Sequence, residues 1–96
     1  MSKKTEGVYE LVQNVLQTFS EPYDEDIIED VCLAIENNPD WLRQYNELGD
    51  ELRHWVVNNW IGRYTTTLTG LNSLKQVEAK RSKIIKSYTK LVPRYR

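Results

Sequence analysis

The amino-acid sequence predicts an all-α fold, a compact bundle of four to five helices joined by short turns. Three observations predict it. Apolar residues recur at i, i+3 and i+4 in successive segments. Helix-start signals stand where segments begin, at Asn38-Pro39-Asp40 and at Ser73-x-x-Gln76. Only short turns separate the segments, with no internal repeat or low-complexity stretch, which suits an antiparallel bundle. At 96 residues the chain reads as one domain, 1–96. It can bury one core and has little room for a deep substrate pocket.

Each element has its own warrant. Val8, Leu11, Val12, Val15, Leu16 and Phe19 share one helical face and predict a helix over 5–20, which Pro22 stops. Asp24, Glu25 and Asp26 suit the first turn of a helix over 24–37, where carboxylates favour the positive end of the dipole. Ile27, Ile28, Val31, Ala34 and Ile35 are its buried stripe. Asn38 caps a third helix with Pro39 at its first position and Trp41, Leu42, Tyr45 and Leu48 facing inward. Gly49 closes or bends that helix, and Asp50 opens a fourth over 50–69.

The fourth helix carries Leu52, Trp55, Val56, Trp60, Ile61, Tyr64 and Leu68 on its inner side, and Gly70 is its C′ residue. Asn58-Asn59 and the β-branched run at 65–69 argue against a helix there. It is kept helical because no second strand is evident for it to pair with. Trp55, Trp60 and Tyr64 are expected in the core, with Leu11, Val15, Ile28, Val31, Ile84 and Tyr88; for the aromatics Trp41, Trp55, Trp60 and Tyr64, base stacking or a partner groove is the alternative. Truncating Trp55 would then cost about 3–5 kcal/mol. The last helix spans 73–92, with Leu74, Val77, Arg81, Ile84, Tyr88 and Leu91 stepping as a heptad seam.

Charge is divided by position. Residues 1–70 carry thirteen acidic and five basic side chains, a net of −8, and residues 71–96 carry eight basic and one acidic, a net of +7. An acidic body beside a basic C-terminal helix needs a partner surface, outside the chain or elsewhere on it. Lys80, Lys83, Lys86, Lys90 and Arg94 fall at steps of three and four, and Lys75 lies a turn above. On a helix they form one stripe able to follow a phosphate backbone or an acidic protein face. A solvated outer face with no ligand is the plain alternative. Arg81 interrupts the apolar seam and is expected to pair with Asp26, Glu29 or Asp30.

Other chemistries have less behind them. One histidine and one cysteine lie far apart, no serine has a nucleophile-elbow context, and the four glycines are isolated. No enzyme, cofactor or metal site is expected. Glu51-Leu52-Arg53-His54 has the Glu-x-x-His spacing of di-iron bundles but lacks its second half. The eight carboxylates between Glu21 and Asp40 include no calcium-loop pattern. A helix-turn-helix at Gly49 would have Tyr45 where a small residue belongs, and its reading helix would open on Asp50-Glu51. The lone Cys32, the lack of a long apolar run and the absence of a signal-peptide h-region point to a cytoplasmic setting without membrane contact.

Two segments, Val57-Asn58-Asn59-Trp60-Ile61-Gly62-Arg63-Tyr64 through Leu68-Thr69-Gly70 and Ile85-Lys86-Ser87-Tyr88-Thr89-Lys90-Leu91, resemble stretches of small uncharacterised helical proteins carried on bacterial mobile elements. That resemblance implies a bacterial origin and an orphan function, and it transfers no site. The expected function is non-catalytic binding through the basic C-terminal helix, with nucleic acid the leading partner class. The alternative is a self-associating structural or regulatory protein, a homodimer in which that helix docks on the acidic body of a second copy.

Overall fold

A computed structural model describes residues 3–93. A short 3-10 turn, Lys3–Thr5, leads into α1, Glu6–Leu16. Then come α2, Ile27–Glu36, α3, Pro39–Leu52, and α4, His54–Thr69. Two antiparallel strands follow, β1, Asn72–Glu78, and β2, Ser87–Val92. The fold is helix-dominated, with 59% of residues helical, but it is not purely α. The predicted helix over 73–92 is a β-hairpin.

The helices pack as their apolar stripes require. Val8, Leu11, Val12 and Val15 of α1, Ile28, Val31 and Ile35 of α2, and Val57 and Ile61 of α4 are buried together. Asn38 caps α3 as expected, its Oδ1 accepting from the Asp40 and Trp41 amides at 3.0 and 3.1 Å. Gly70 ends α4 in the left-handed conformation at φ 73°. The β-branched run of α4 stays helical, with two of its hydroxyls bonded back to the preceding turn. Thr66 Oγ1 donates to the Gly62 carbonyl and Thr69 Oγ1 to that of Thr65.

Two boundaries move. The acids at 24–26 precede α2, and the Asp24 carboxylate accepts from the Asp26 amide in a local turn. The break between the third and fourth helices falls at Arg53, not at Gly49. Arg53 takes φ 86° and ψ 140°, a conformation close to glycine-only territory. The His54 ring folds back across α3 into the space where a Gly49 Cβ would lie. Gly49 is therefore needed mid-helix, and the helix-turn-helix outline disappears. Glu51 and His54 also end on different helices, and His54 Nε2 instead faces Asn46 Oδ1 at 3.5 Å.

The hairpin packs through β2 against α2 and α4. Tyr88 and Leu91 are buried, whereas β1 is exposed along nearly its whole length and Leu74 is 53% exposed. A bulge between Ser73 and Lys75 shifts the register. The predicted capping box is a cross-strand contact, Gln76 Nε2 donating to Ser87 Oγ.

The expected core holds for Leu11, Val15, Ile28, Val31, Tyr64 and Tyr88. Trp60 and Ile84 are half-buried. Trp55 is the clear correction, at 66% exposed. With the chain turned at Arg53, Trp55 comes on the hairpin-facing side of α4, where the packing stays open.

The opposite extreme is Thr65, fully buried with no partner for its hydroxyl. Three substitutions test this packing by urea unfolding. Ile61→Ala should cost about 2–5 kcal/mol, since that side chain is fully enclosed. Trp55→Ala should cost less than about 1 kcal/mol. Thr65→Val should leave stability unchanged or raise it, because it removes a desolvated hydroxyl without leaving a cavity.

Candidate nucleic-acid interface

The basic segment is held by α2. Asp26, Glu29 and Glu36 lie near one face of that helix, three and seven residues apart. Glu29 is the centre. Its side chain is 2% exposed. Its Oε2 accepts from the backbone amides of Lys80, Arg81 and Ser82 at 2.9, 2.6 and 3.0 Å. Its Oε1 accepts from Arg81 Nε at 3.3 Å. Two turns on, Glu36 Oε2 accepts from the Lys83 and Ile84 amides at 2.8 and 3.2 Å and from the Ser82 hydroxyl. The loop between the strands, closed by the Ala79 amide on the Lys86 carbonyl, thus wraps two carboxylates.

Ion pairs flank this cradle. Arg81 Nη2 reaches Asp30 Oδ1 at 2.8 Å, so the expected pairing of Arg81 with the acidic body is present, made from a loop rather than a helical seam. Lys90 Nζ lies 3.3 Å from Glu25 and 3.2 Å from Asp26. Tyr88 donates its hydroxyl to Asp26 at 2.6 Å.

Titration follows this geometry. The Tyr88 hydroxyl, with Lys90, holds the Asp26 carboxyl below its usual value. Burial resists ionisation of Glu29, but the amides of Arg81, Ser82 and Lys80 and the adjacent guanidinium outweigh it, so Glu29 is also depressed. Burial raises Asp30 despite Arg81. Burial also pushes the Tyr45 hydroxyl up to about 12 and the Cys32 thiol upward, leaving Cys32 no thiolate character.

The predicted lysine stripe therefore does not exist as one line. Helical spacing carries no meaning on two strands and a loop. Lys90 is committed to Glu25 and Asp26, just ahead of α2. Lys75 and Lys80 are exposed beside a cleft that also contains Asp26, Glu29 and Glu78. Lys83 is exposed on the loop, and Lys86 is exposed on the opposite side of the hairpin, facing α4. Arg94 lies outside the described residues.

That opposite side holds a groove of about 710 Å³ between α4 and the hairpin. Trp55, Asn59, Gly62, Arg63 and Thr66 bring one face of α4 to it, and Ser73, Gln76 and Lys86 come from the hairpin. None of its lining residues is acidic, in a chain with fourteen acidic side chains. Arg63 is held with its guanidinium carbon 5.0 Å from the Trp60 ring centre. Asn58 fastens the two walls, donating to the Ile84 carbonyl at 2.9 Å while accepting from the Tyr45 hydroxyl at 2.7 Å.

Sequence reasoning missed Arg63 as a candidate and favoured core packing for Trp55 over base stacking or a partner groove. Their spacing of eight residues, with Asn59 between, places them on one α4 face, and that pattern was the available signal. Among the described residues, no group of three or more His, Cys, Asp or Glu side chains is placed to hold a metal ion. Among those residues too, no helix is long and apolar enough to cross a membrane. No protein-family model, curated protein or solved structure matches the chain.

The cradle makes a signed prediction. A depressed carboxyl stabilises the fold above its unfolded pKa, about 4, and that contribution is lost as pH falls through the lower folded value. Amides of Arg81 and Ser82 should therefore lose hydrogen-exchange protection on acidification before those of α1 do. Glu29→Ala should cost about 1–3 kcal/mol at neutral pH, the range for leaving buried donors without their acceptor, since Arg81 is half exposed and keeps Asp30. Glu29→Gln, which keeps an acceptor, should cost less and flatten the acid dependence.

Proposed function

We propose that the protein is a non-catalytic nucleic-acid-binding module whose contact surface is the α4 side of the basic hairpin. One observation carries this reading: Glu25, Asp26, Glu29, Asp30 and Glu36 engage the hairpin on its α2 side, while the α4 side combines Lys86 and Arg63 with no carboxylate among the lining residues. Lys83, at the loop, adds a third exposed cation. At physiological salt a charge beyond about 8 Å is largely screened, which limits how far the carboxylates of the α2 side repel a phosphate on the other. Lys75 and Lys80 contribute less, because carboxylates share their cleft. A cytoplasmic setting and a bacterial, mobile-element origin belong to the same reading.

A second reading is self-association through the basic segment on the acidic body of another copy. The docking on α2 supports it, since the same carboxylates and loop amides would meet as well between two copies exchanged at Gly70. The exposed β1 also offers an uncovered edge.

Titration of mixed-sequence DNA at several salt concentrations, with mass measured at several protein concentrations, separates the two. Nucleic-acid binding predicts log affinity falling against log salt with a slope of about −2 to −3, at 0.7 to 0.9 per contacted phosphate for three contacts. Arg63→Glu with Lys86→Glu should remove that binding and leave the melting temperature nearly unchanged. A concentration-dependent mass with no DNA bound at low salt would establish self-association instead.

A further inference from the structure

The groove has a feature that charge alone does not require. Trp55 stands at its end with most of its indole exposed. Burying an indole is strongly favourable, so an uncovered one in a groove that also holds Arg63 and Lys86 marks a surface suited to a flat partner carrying negative charge. The backbone supports its position. Arg53, two residues earlier, adopts a conformation that costs a non-glycine residue free energy, and that turn sets where α4 begins. From Trp55 to Thr66 the α4 face runs about 16 Å at 1.5 Å per residue. Gly62 forms part of the floor, where a Cβ would meet only Ile28 Cδ1, at 3.9 Å. Asn59 and Gln76 add amides at the walls.

Resting on the nucleic-acid reading above, we infer that this groove binds a single-stranded nucleic-acid segment, with a base stacked on Trp55 and the flanking phosphates on Arg63 and Lys86. A duplex keeps its base faces covered, so it has nothing to offer the indole. An unpaired strand has exposed base faces and a charge at each step, and stacking on an aromatic tolerates any base. The amides and hydroxyls of the walls can donate to or accept from base edges. A basic patch without Trp55 would suit either form. The indole distinguishes the two.

The test uses the full chain with fluorescein-labelled ten-nucleotide oligothymidylate, oligouridylate and a duplex of the same length, at low salt. Tryptophan emission is recorded alongside. The single strands should quench emission and bind at least tenfold tighter than the duplex. Trp55→Ala should lose most of the quenching and weaken single-strand binding about tenfold or more, as expected for one stacked base. Trp55→Phe should restore part of the affinity. Gly62→Leu, which fills the floor without changing charge, should weaken the single strand and leave any duplex binding unchanged. Thermal melts check that each variant is folded. Equal binding of duplex and single strand, unaffected by Trp55→Ala and Gly62→Leu, would overturn the groove assignment while the charge-based reading stands. No binding of any of the three probes overturns both. Competition by polyglutamate that matches oligothymidylate, insensitive to Trp55→Ala, would assign the surface to an acidic protein instead. A difference between oligothymidylate and oligouridylate, with the Trp55 effect kept, supports the inference and reads out the sugar preference.

Discussion

The buried carboxylate of Glu29 is the contact on which the C-terminal half of the fold depends. An ionised group withdrawn from water costs several kcal/mol unless its oxygens are fully engaged. The loop between β1 and β2 has the converse problem. It lacks regular structure, so its amides need acceptors from elsewhere. Glu29 takes three of them and Glu36 two more. A two-stranded hairpin is marginal by itself, and most of β1 gains nothing from burial. Carboxylates from a helix some fifty residues upstream supply the order that the hairpin lacks.

The helical part of this arrangement was legible because its causes are local. The Asn38 cap, the Gly70 terminus and the apolar stripes of α1 and α2 depend on residues within a few positions of one another. The hairpin was illegible because its cause is distant. Leu74, Val77, Ile84, Tyr88 and Leu91 satisfy a heptad count, yet no local interaction makes the chain follow it. In the fold Val77 pairs with Tyr88 across the sheet and Leu74 points away from any core. The Ser-Tyr-Thr-Lys-Leu-Val run of β2 carried a strand signal, outweighed by the seam. The charge division did point to a partner surface, and α2 of the same chain meets part of that need.

Trp55 shows a second limit of pattern reading. Periodicity assigns an aromatic residue to the apolar side of a helix, because burial is the usual fate of an indole. The turn at Arg53 and the hairpin set which side of α4 is covered, and neither is encoded near Trp55. The same turn displaced His54 from Glu51 and removed the only metal-ligand spacing in the sequence. Asn58, counted as a possible helix breaker, bridges α3 to the loop instead, with both ends of its amide engaged.

The two sides of the hairpin are therefore coupled. On one side, α2 draws the loop down through Glu29 and Glu36 and pairs with Arg81, while Glu25 and Asp26 just before it pair with Lys90. On the other, the same loop and β2 form a wall of the groove, and Asn58 fixes its distance from α4 through the Ile84 carbonyl. Ile84 is held from both directions at once, its amide by Glu36 and its carbonyl by Asn58. Five carboxylates thus meet the hairpin on its α2 side, and none lines the groove on the side toward α4. An acidic body and a basic segment in one small chain yield a local positive surface only because the segment folds back with the right side inward. Weakening the Glu29 cradle would loosen the groove wall and uncover the α2 acids together, so the shape and the charge of the candidate surface share one origin.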